Sequence, residues 1–218
     1  YADRMKALVS GWRKVWSQGE FPFYFVQIAP YNYANRPPET EAEIWEAQAA
    51  AAREIPNAGM AVINDVGDLN DIHPQDKPTV GKRLALLALA KTYGKSDLTS
   101  SGPVFKVIKA EGNQLRVQFD HTDGGLTTRD GKAPDWFEII DAENGGFVKA
   151  ETRISGDGIV LSSPEVKRPV AMRFAWSHIA TPNLMNGKGL PAGAFRASVE
   201  SHQNWISDQV PEAKDYSL

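Results

Sequence analysis

GMAVINDVGDLNDIHPQDKPTVGKRLALLAL, residues 59–89, reads as one strand–loop–helix unit. GMAVIND, 59–65, is short and apolar, as a buried strand is. The following loop gathers Asp68, Asp71, His73 and Asp76 within nine residues. Asp76 is a predicted N-cap with Pro78 in the first turn, and the helix runs on Leu84, Leu87, Ala88 and Lys91 to about Tyr93. Gly94 is its predicted stop.

Outward from this unit the same alternation continues. Met5, Leu8, Val9, Trp12 and Trp16 recur at helical spacing over residues 3 to 17, and Ser17, Gln18 and Gly19 end that helix. FPFYFVQIA, 21–29, is a near-continuous apolar run that predicts a strand buried on both faces. Thr40 and Glu43 form the T-x-x-E pattern of a capping box opening a helix through about Arg53. Helix, strand, helix, strand, loop, helix is the order of an open α/β sheet, whose functional loops lie beyond the carboxyl ends of the strands. The loop from Val66 to Gln75 occupies that position.

After Gly94 the pattern changes. KSDLTSSGP is a linker by composition, with the boundary set at 95–102. VFKVIKAEG, QLRVQFDH, WFEIID, FVKAETRIS, GIVLSS and VAMRFAW then alternate with Gly, Asp, Asn and Pro turns, which predicts a small all-β sandwich over 103–197. Residues 198–218 form a polar tail.

The 218 residues carry a net charge of −3 with no block of one sign, so no footprint for nucleic acid or a membrane surface is present. No apolar run is long enough to span a bilayer. Cysteine is absent, which excludes disulfides, thiolate metal sites and a cysteine nucleophile. No second histidine stands at ligand spacing from His73, and neither a metal nor another cofactor is expected.

The chemistry centres on the loop. An imidazole transfers protons near neutral pH and works best as a base when a carboxylate holds its other ring nitrogen. Asp71, Asp68 and Asp65 all stand within reach of His73 along the chain. The competing reading is a solvated loop in which Asp forms turns and Asp76 only caps a helix.

FPFYFVQIAPYNY, WEAQ and above all DVGDLNDIHPQDKPTVGKRLALLAL resemble the C-terminal half of the sialate O-acetylesterase family of SGNH (GDSL-like) hydrolases. QLRVQFDH, SSPEVKRPVAMRFAW and NLMNGKGLPAGAFR extend the resemblance through the β-region, so it covers about Met5 to Arg196. It implies an α/β fold, the C-terminal part (1–94) of a three-layer parallel sheet followed by the β-sandwich. It also implies a serine carbohydrate esterase that removes acetyl groups from sialic acid, a sialate 9-O-acetylesterase, with acetyl xylan or another acetylated glycan as the neighbouring substrate class. His73 matches the family's general base and Asp71 its orienting acid. The D-x-x-H spacing common among SGNH hydrolases would place an acid at position 70, where this chain has Asn70, which leaves Asp68 or a backbone carbonyl as alternative partners.

The family's nucleophilic serine lies in a G-Q-S-N-like turn, and no such string occurs here. Ser10, Ser17, Ser100, Ser101, Ser162 and Ser163 do not follow a buried strand in a tight turn, as a strained nucleophile does. The nucleophile is therefore expected upstream of Tyr1, and that N-terminal portion, supplied as a second chain, is an expected partner beside the acetylated sugar. The resemblance implies a periplasmic or secreted protein. Gln48, on the capped helix, and Tyr31 and Asn32, at the tip after the first strand together with Tyr33, are the expected substrate contacts. A helix-surface glutamine is as a rule solvated, and loop aromatics also serve as anchors. His121, His178 and His202 are expected to be surface or packing residues. Trp136 and Trp176 lie in strand-like runs, which favours core packing over a carbohydrate platform. A carbohydrate-binding unit without catalysis and a structural or interaction fragment without activity are the remaining alternatives, and a binding unit has no need of a D-I-H-P loop.

Overall fold

A computed structural model describes residues 1–143 and 145–199. The tail expected from 198 onward, with His202, therefore lies almost wholly outside the described residues. The architecture is mixed and sheet-rich with few helices.

The first 94 residues build α1 (Ala2–Trp16), β1 (Phe23–Val26), α2 (Thr40–Glu54), β2 (Ala58–Ala61) and α3 (Lys77–Leu87), which widens at its end into a π-turn at Ala88–Thr92. Ser17 closes α1 in the left-handed conformation, its N–H on the Arg13 carbonyl. Asp76 caps α3 by accepting the Thr79 N–H at 3.0 Å, with Pro78 in the first turn as its fixed φ favours. Gly94, at φ 66°, ends the π-turn segment.

Two local expectations are corrected. The capping box at Thr40 does not form, because Glu39 is already helical and the Pro37 carbonyl takes the Thr40 N–H at 3.1 Å. A backbone turn thus satisfies a donor that a side chain was expected to satisfy. β1 and β2 pair in parallel, Phe23 with Ala58 through Val26 with Ala61, but β1 is half-buried along its length rather than sealed on both faces. Among the described residues each of these strands has one pairing neighbour.

Beyond the linker two four-stranded antiparallel sheets face each other. One has the order β3 (Val104–Glu111), β4 (Gln114–Asp120), β9 (Gly158–Ser162), β8 (Glu151–Ser155). The other runs β12 (Phe195–Ser198), β10 (Pro169–Phe174), β6 (Phe137–Asp141), β7 (Val148–Lys149). β5 (Leu126–Thr128) and β11 (Leu184–Asn186) form a separate pair. FVKAETRIS, read as one strand, serves both large sheets. Val148 and Lys149 pair with β6, Glu151 onward pairs with β9, and buried Ala150 marks the crossing. Leu115, Val117 and Phe119 from one sheet and Phe137, Ile139, Met172 and Phe174 from the other share a core, as alternating inward residues of a two-layer β unit do.

That core also takes in Ala42 and Trp45 of α2, so the α/β and β portions are packed as one. The Trp45 indole N–H donates to the Ile28 carbonyl at 2.7 Å, and Arg196 grips Glu46 through two bonds of 3.1 and 2.8 Å. Asn64, fully buried, donates to the Ala192 carbonyl at 2.8 Å.

The exit of β2 is held by a buried ion pair. Arg83 of α3 meets Asp65 through two bonds of 2.6 and 2.7 Å, both side chains only 8% exposed, and also donates to the Val62 carbonyl at 2.8 Å. Bidentate geometry of this kind offsets the desolvation of both ions, whereas removal of one partner strands a buried charge. Arg83→Met is therefore expected to destabilise the fold by about 3–5 kcal/mol, read from urea unfolding midpoints. A loss below 1 kcal/mol would mean that water reaches Asp65 freely.

Candidate functional site

The loop from Val66 to Gln75 leaves this anchored exit and is built from short side-chain-to-backbone bonds. Asp68 Oδ1 accepts the Asn70 N–H at 2.8 Å, and the Asp68 carbonyl accepts the Asp71 N–H at 3.2 Å. Asp71 Oδ1 accepts the His73 N–H at 2.9 Å, an Asx turn that brings the His73 ring back over the same carboxylate. His73 Nδ1 lies 3.2 Å from Asp71 Oδ1, and Gln75 Nε2 donates to Asp71 Oδ2 at 2.8 Å.

The structure thus separates the three carboxylates that the sequence left open. Asp65 is committed to Arg83, Asp68 closes a turn, and Asp71 faces the imidazole. Position 70 is Asn, and the Asx turn instead makes the imidazole–carboxylate contact at i−2 spacing. His73 is 80% exposed and Asp71 43% exposed, so the ring is accessible rather than sealed in the core. The His73 backbone N–H first, then its ring and Gln75, hold the Asp71 carboxyl below its ordinary value.

Neighbouring loops brace this one. The Leu69 carbonyl accepts the Asn32 N–H at 3.0 Å, so the tip bearing Tyr31 and Asn32 lies against the loop four residues before His73. A Cβ at Gly67 would stand 3.0 Å from Pro30 Cδ, a close approach that only glycine accommodates without displacement. Arg129 reaches from the β portion to the carbonyls of Asp65, at 3.2 Å, and Thr181, at 2.7 Å. Asn32 is exposed, whereas Tyr31 is half-buried and packs edge-on to Tyr33 at 4.9 Å.

Gln48 is 2% exposed, its Oε1 accepts the Ile28 N–H at 3.0 Å, and its Nε2 donates to the Tyr1 hydroxyl at 3.3 Å. The inward face of α2 turns it toward the exit of β1, where it holds backbone and is not the solvated helix-surface residue that was the competing expectation. Of the two expectations for His178, surface or packing, its burial fits packing. It lies beside Tyr33, its backbone bonded to Pro38 and Tyr31, and among the described residues its Nδ1 meets no hydrogen-bond partner. Glu41 is buried in the same neighbourhood, and desolvation pushes its carboxyl up against the opposing pull of Arg36. Burial, then Glu41, likewise raises the Tyr33 phenol.

Gln75, Arg83 and Arg129 escaped the sequence reading. Among the described residues no group of three or more His, Cys, Asp or Glu side chains is arranged to hold a metal ion.

With this geometry, the chain is similar to proteins of one class, the carbohydrate acetylesterases. A crystal structure of a carbohydrate acetylesterase from Xanthomonas citri superposes with a TM-score of 0.84 at 35% identity, covering 91% of this chain and 46% of that one. A sialate O-acetylesterase of Pongo abelii is 35% identical over 238 aligned positions, covering 97% of this chain and 43% of the relative. One from Rattus norvegicus is 36% identical over 138 residues, 55% of this chain and 26% of the relative. No protein-family model matches. The chain belongs to the sialate O-acetylesterase family, as a C-terminal portion of it. It spans less than half the length of these relatives.

The bonds around Asp71 have a testable consequence. Because the folded loop favours the ionised carboxylate, its contribution is present above the ordinary aspartate range and is lost as pH falls through the depressed value. In a carbon-detected NMR titration, Asp71 is expected to protonate below an ordinary aspartate, and Gln75→Ala is expected to move its midpoint upward. A midpoint at or above the ordinary value would contradict the geometry.

Proposed function

We propose that this chain carries the base-bearing part of a carbohydrate O-acetylesterase, acting on O-acetylated sialic acid. The observation that carries the reading is the accessible His73 ring with Nδ1 on Asp71. Such a pair fixes the tautomer that leaves Nε2 as a proton acceptor and stabilises the imidazolium that forms.

In this mechanism a serine hydroxyl from a segment outside this chain attacks the acetyl carbonyl, and His73 takes its proton. His73 then gives that proton to the departing sugar oxygen, which leaves an acetyl-serine. Water, deprotonated by His73, attacks the acetyl carbonyl; the serine oxygen leaves, takes that proton back from His73, and acetate is released. Asp71 keeps the ring oriented throughout and stays ionised.

The finer fold reading belongs to the same proposal. β1 and β2 are the last strands of a larger parallel sheet of the SGNH type, with α helices on both faces. Two features support it: the half-burial of β1 along its whole length, and the exposed stripe Leu8, Trp12, Val15 and Trp16 along α1. An exposed apolar stripe of this kind marks a contact surface, which the rest of such a sheet domain would cover. The names of the mammalian relatives favour sialic acid, and that of the Xanthomonas structure leaves other acetylated sugars as the second substrate class.

The test uses a longer protein that includes the segment preceding Tyr1. On a chromogenic acetate and on 9-O-acetylated sialic acid, His73→Ala is expected to lower kcat about 10²–10⁴-fold, with the melting temperature unchanged because the ring is exposed. Asp71→Asn is expected to give a smaller loss. Retention of the full rate by His73→Ala would overturn the proposal.

A further inference from the structure

Away from the His73 loop a cavity of about 550 Å³ opens where the turn before α2 meets β6 and β10. Its size falls in the range of small-molecule sites. It is lined by Trp136, Asp135, Glu138, Arg173, Lys149 and Glu39, among others. Trp176, expected with Trp136 as a platform or a core residue, also lines the cavity but is 5% exposed and covered by Arg196, whose guanidinium lies 4.7 Å from its ring. Trp136 is the half-buried member of the pair.

Trp136 is held there by a strained backbone. Its φ is 59°, in the left-handed region where a bulky side chain is a true outlier, and Ala175 opposite it has φ 53°. The Ala175 N–H donates to the Trp136 carbonyl at 2.9 Å. Just before them, Asp135 and Asn183 exchange two bonds, Asn183 N–H to Asp135 Oδ1 at 2.8 Å and Asp135 N–H to Asn183 Oδ1 at 3.1 Å. Strain of this kind persists only where the surroundings enforce it, and it collects at ligand sites.

The polar groups are pinned as well. Arg173 meets Glu138 at 2.6 and 3.3 Å and Glu39 at 3.7 Å, and its guanidinium lies 4.5 Å from the Phe147 ring. Burial raises the Asp135 carboxyl. An aromatic ring beside fixed carboxylates and a fixed guanidinium matches a sugar ring, with its polarised C–H face and its vicinal hydroxyls. Three acids, Glu39, Asp135 and Glu138, stand against two bases, Arg173 and Lys149, which leaves one formal negative charge around the cavity. The local field therefore opposes an added carboxylate.

We propose that this groove binds a neutral pyranose segment of a glycan, at a site separate from His73. The proposal does not require ester hydrolysis, since binding is read directly.

The experiment follows the indole N–H signals of the nitrogen-15-labelled 218-residue chain during titration with xylotetraose, lactose and free N-acetylneuraminic acid. A saturable shift of the Trp136 signal is expected with at least one neutral oligosaccharide, at a dissociation constant of about 0.1–10 mM. The Trp12 and Trp16 signals of α1 stay fixed. N-acetylneuraminic acid is expected to bind at least about tenfold more weakly. Glu138→Gln and Lys149→Ala, checked for folding by the rest of the spectrum, are expected to weaken the neutral sugar about fivefold or more. The wild-type Trp136 shift locates the site even where a variant fails to fold. No saturable shift with either neutral sugar, a response confined to Trp12 and Trp16, equal binding of the acid, or unchanged affinity in both folded variants would each overturn the proposal.

Discussion

The buried fork between Arg83 and Asp65 is the fixed point from which the rest of the site is measured. Its two bonds tie the exit of β2 to the middle of α3, and the additional bond from Arg83 to the Val62 carbonyl locks the last turn of backbone before the loop. Arg129 brings the β portion to the same place through the Asp65 carbonyl. Three parts of the chain therefore converge on one carboxylate and its neighbouring backbone. The loop that follows needs only eight residues to reach His73, and its own turns at Asp68 and Asp71 determine where the ring lies.

This arrangement divides labour among carboxylates that look alike in sequence. A carboxylate buried against a guanidinium is a structural anchor, because its ionisation and its geometry are both taken up by the partner. An exposed carboxylate that accepts a backbone N–H, a ring nitrogen and an amide is held in place yet remains open to solvent. Asp65 and Asp71 occupy these two states six residues apart. The packing that joins the β portion to α2, through Trp45, Asn64 and the Arg196–Glu46 pair, keeps the strand exits and the surrounding loops in one body.

Much of this was legible in the sequence because it depends on local chemistry. Asp76 with Pro78 started a helix where a cap and a fixed φ both act, and Gly94 ended the segment where a left-handed residue was needed. The D-I-H-P string placed His73 beside an acid because an Asx turn spans only two residues. Long-range partners were not legible. Arg83 stands 18 positions from Asp65, and nothing between them marks the pairing. Helical spacing alone does not show which face of α2 is buried, and Gln48 turns inward onto the Ile28 backbone. Thr40 was read as a cap, but the Pro37 turn had already satisfied its role. The single run FVKAETRIS hid a change of sheet at Ala150, since alternation alone does not say which neighbour a strand will find. The strain at Trp136 left no signal, because a tryptophan carries no preference for the left-handed region that it adopts.

The central claim is that Asp71 holds the His73 ring in one tautomer, with the proton on Nδ1 and the lone pair of Nε2 facing outward. Long-range nitrogen–proton correlation spectra of the His73 ring, recorded at about pH 8 where an ordinary imidazole is neutral, test it most directly. A protonated Nδ1 and an unprotonated Nε2 are expected. A ring protonated on Nε2, or one that averages freely between the two forms, would contradict it.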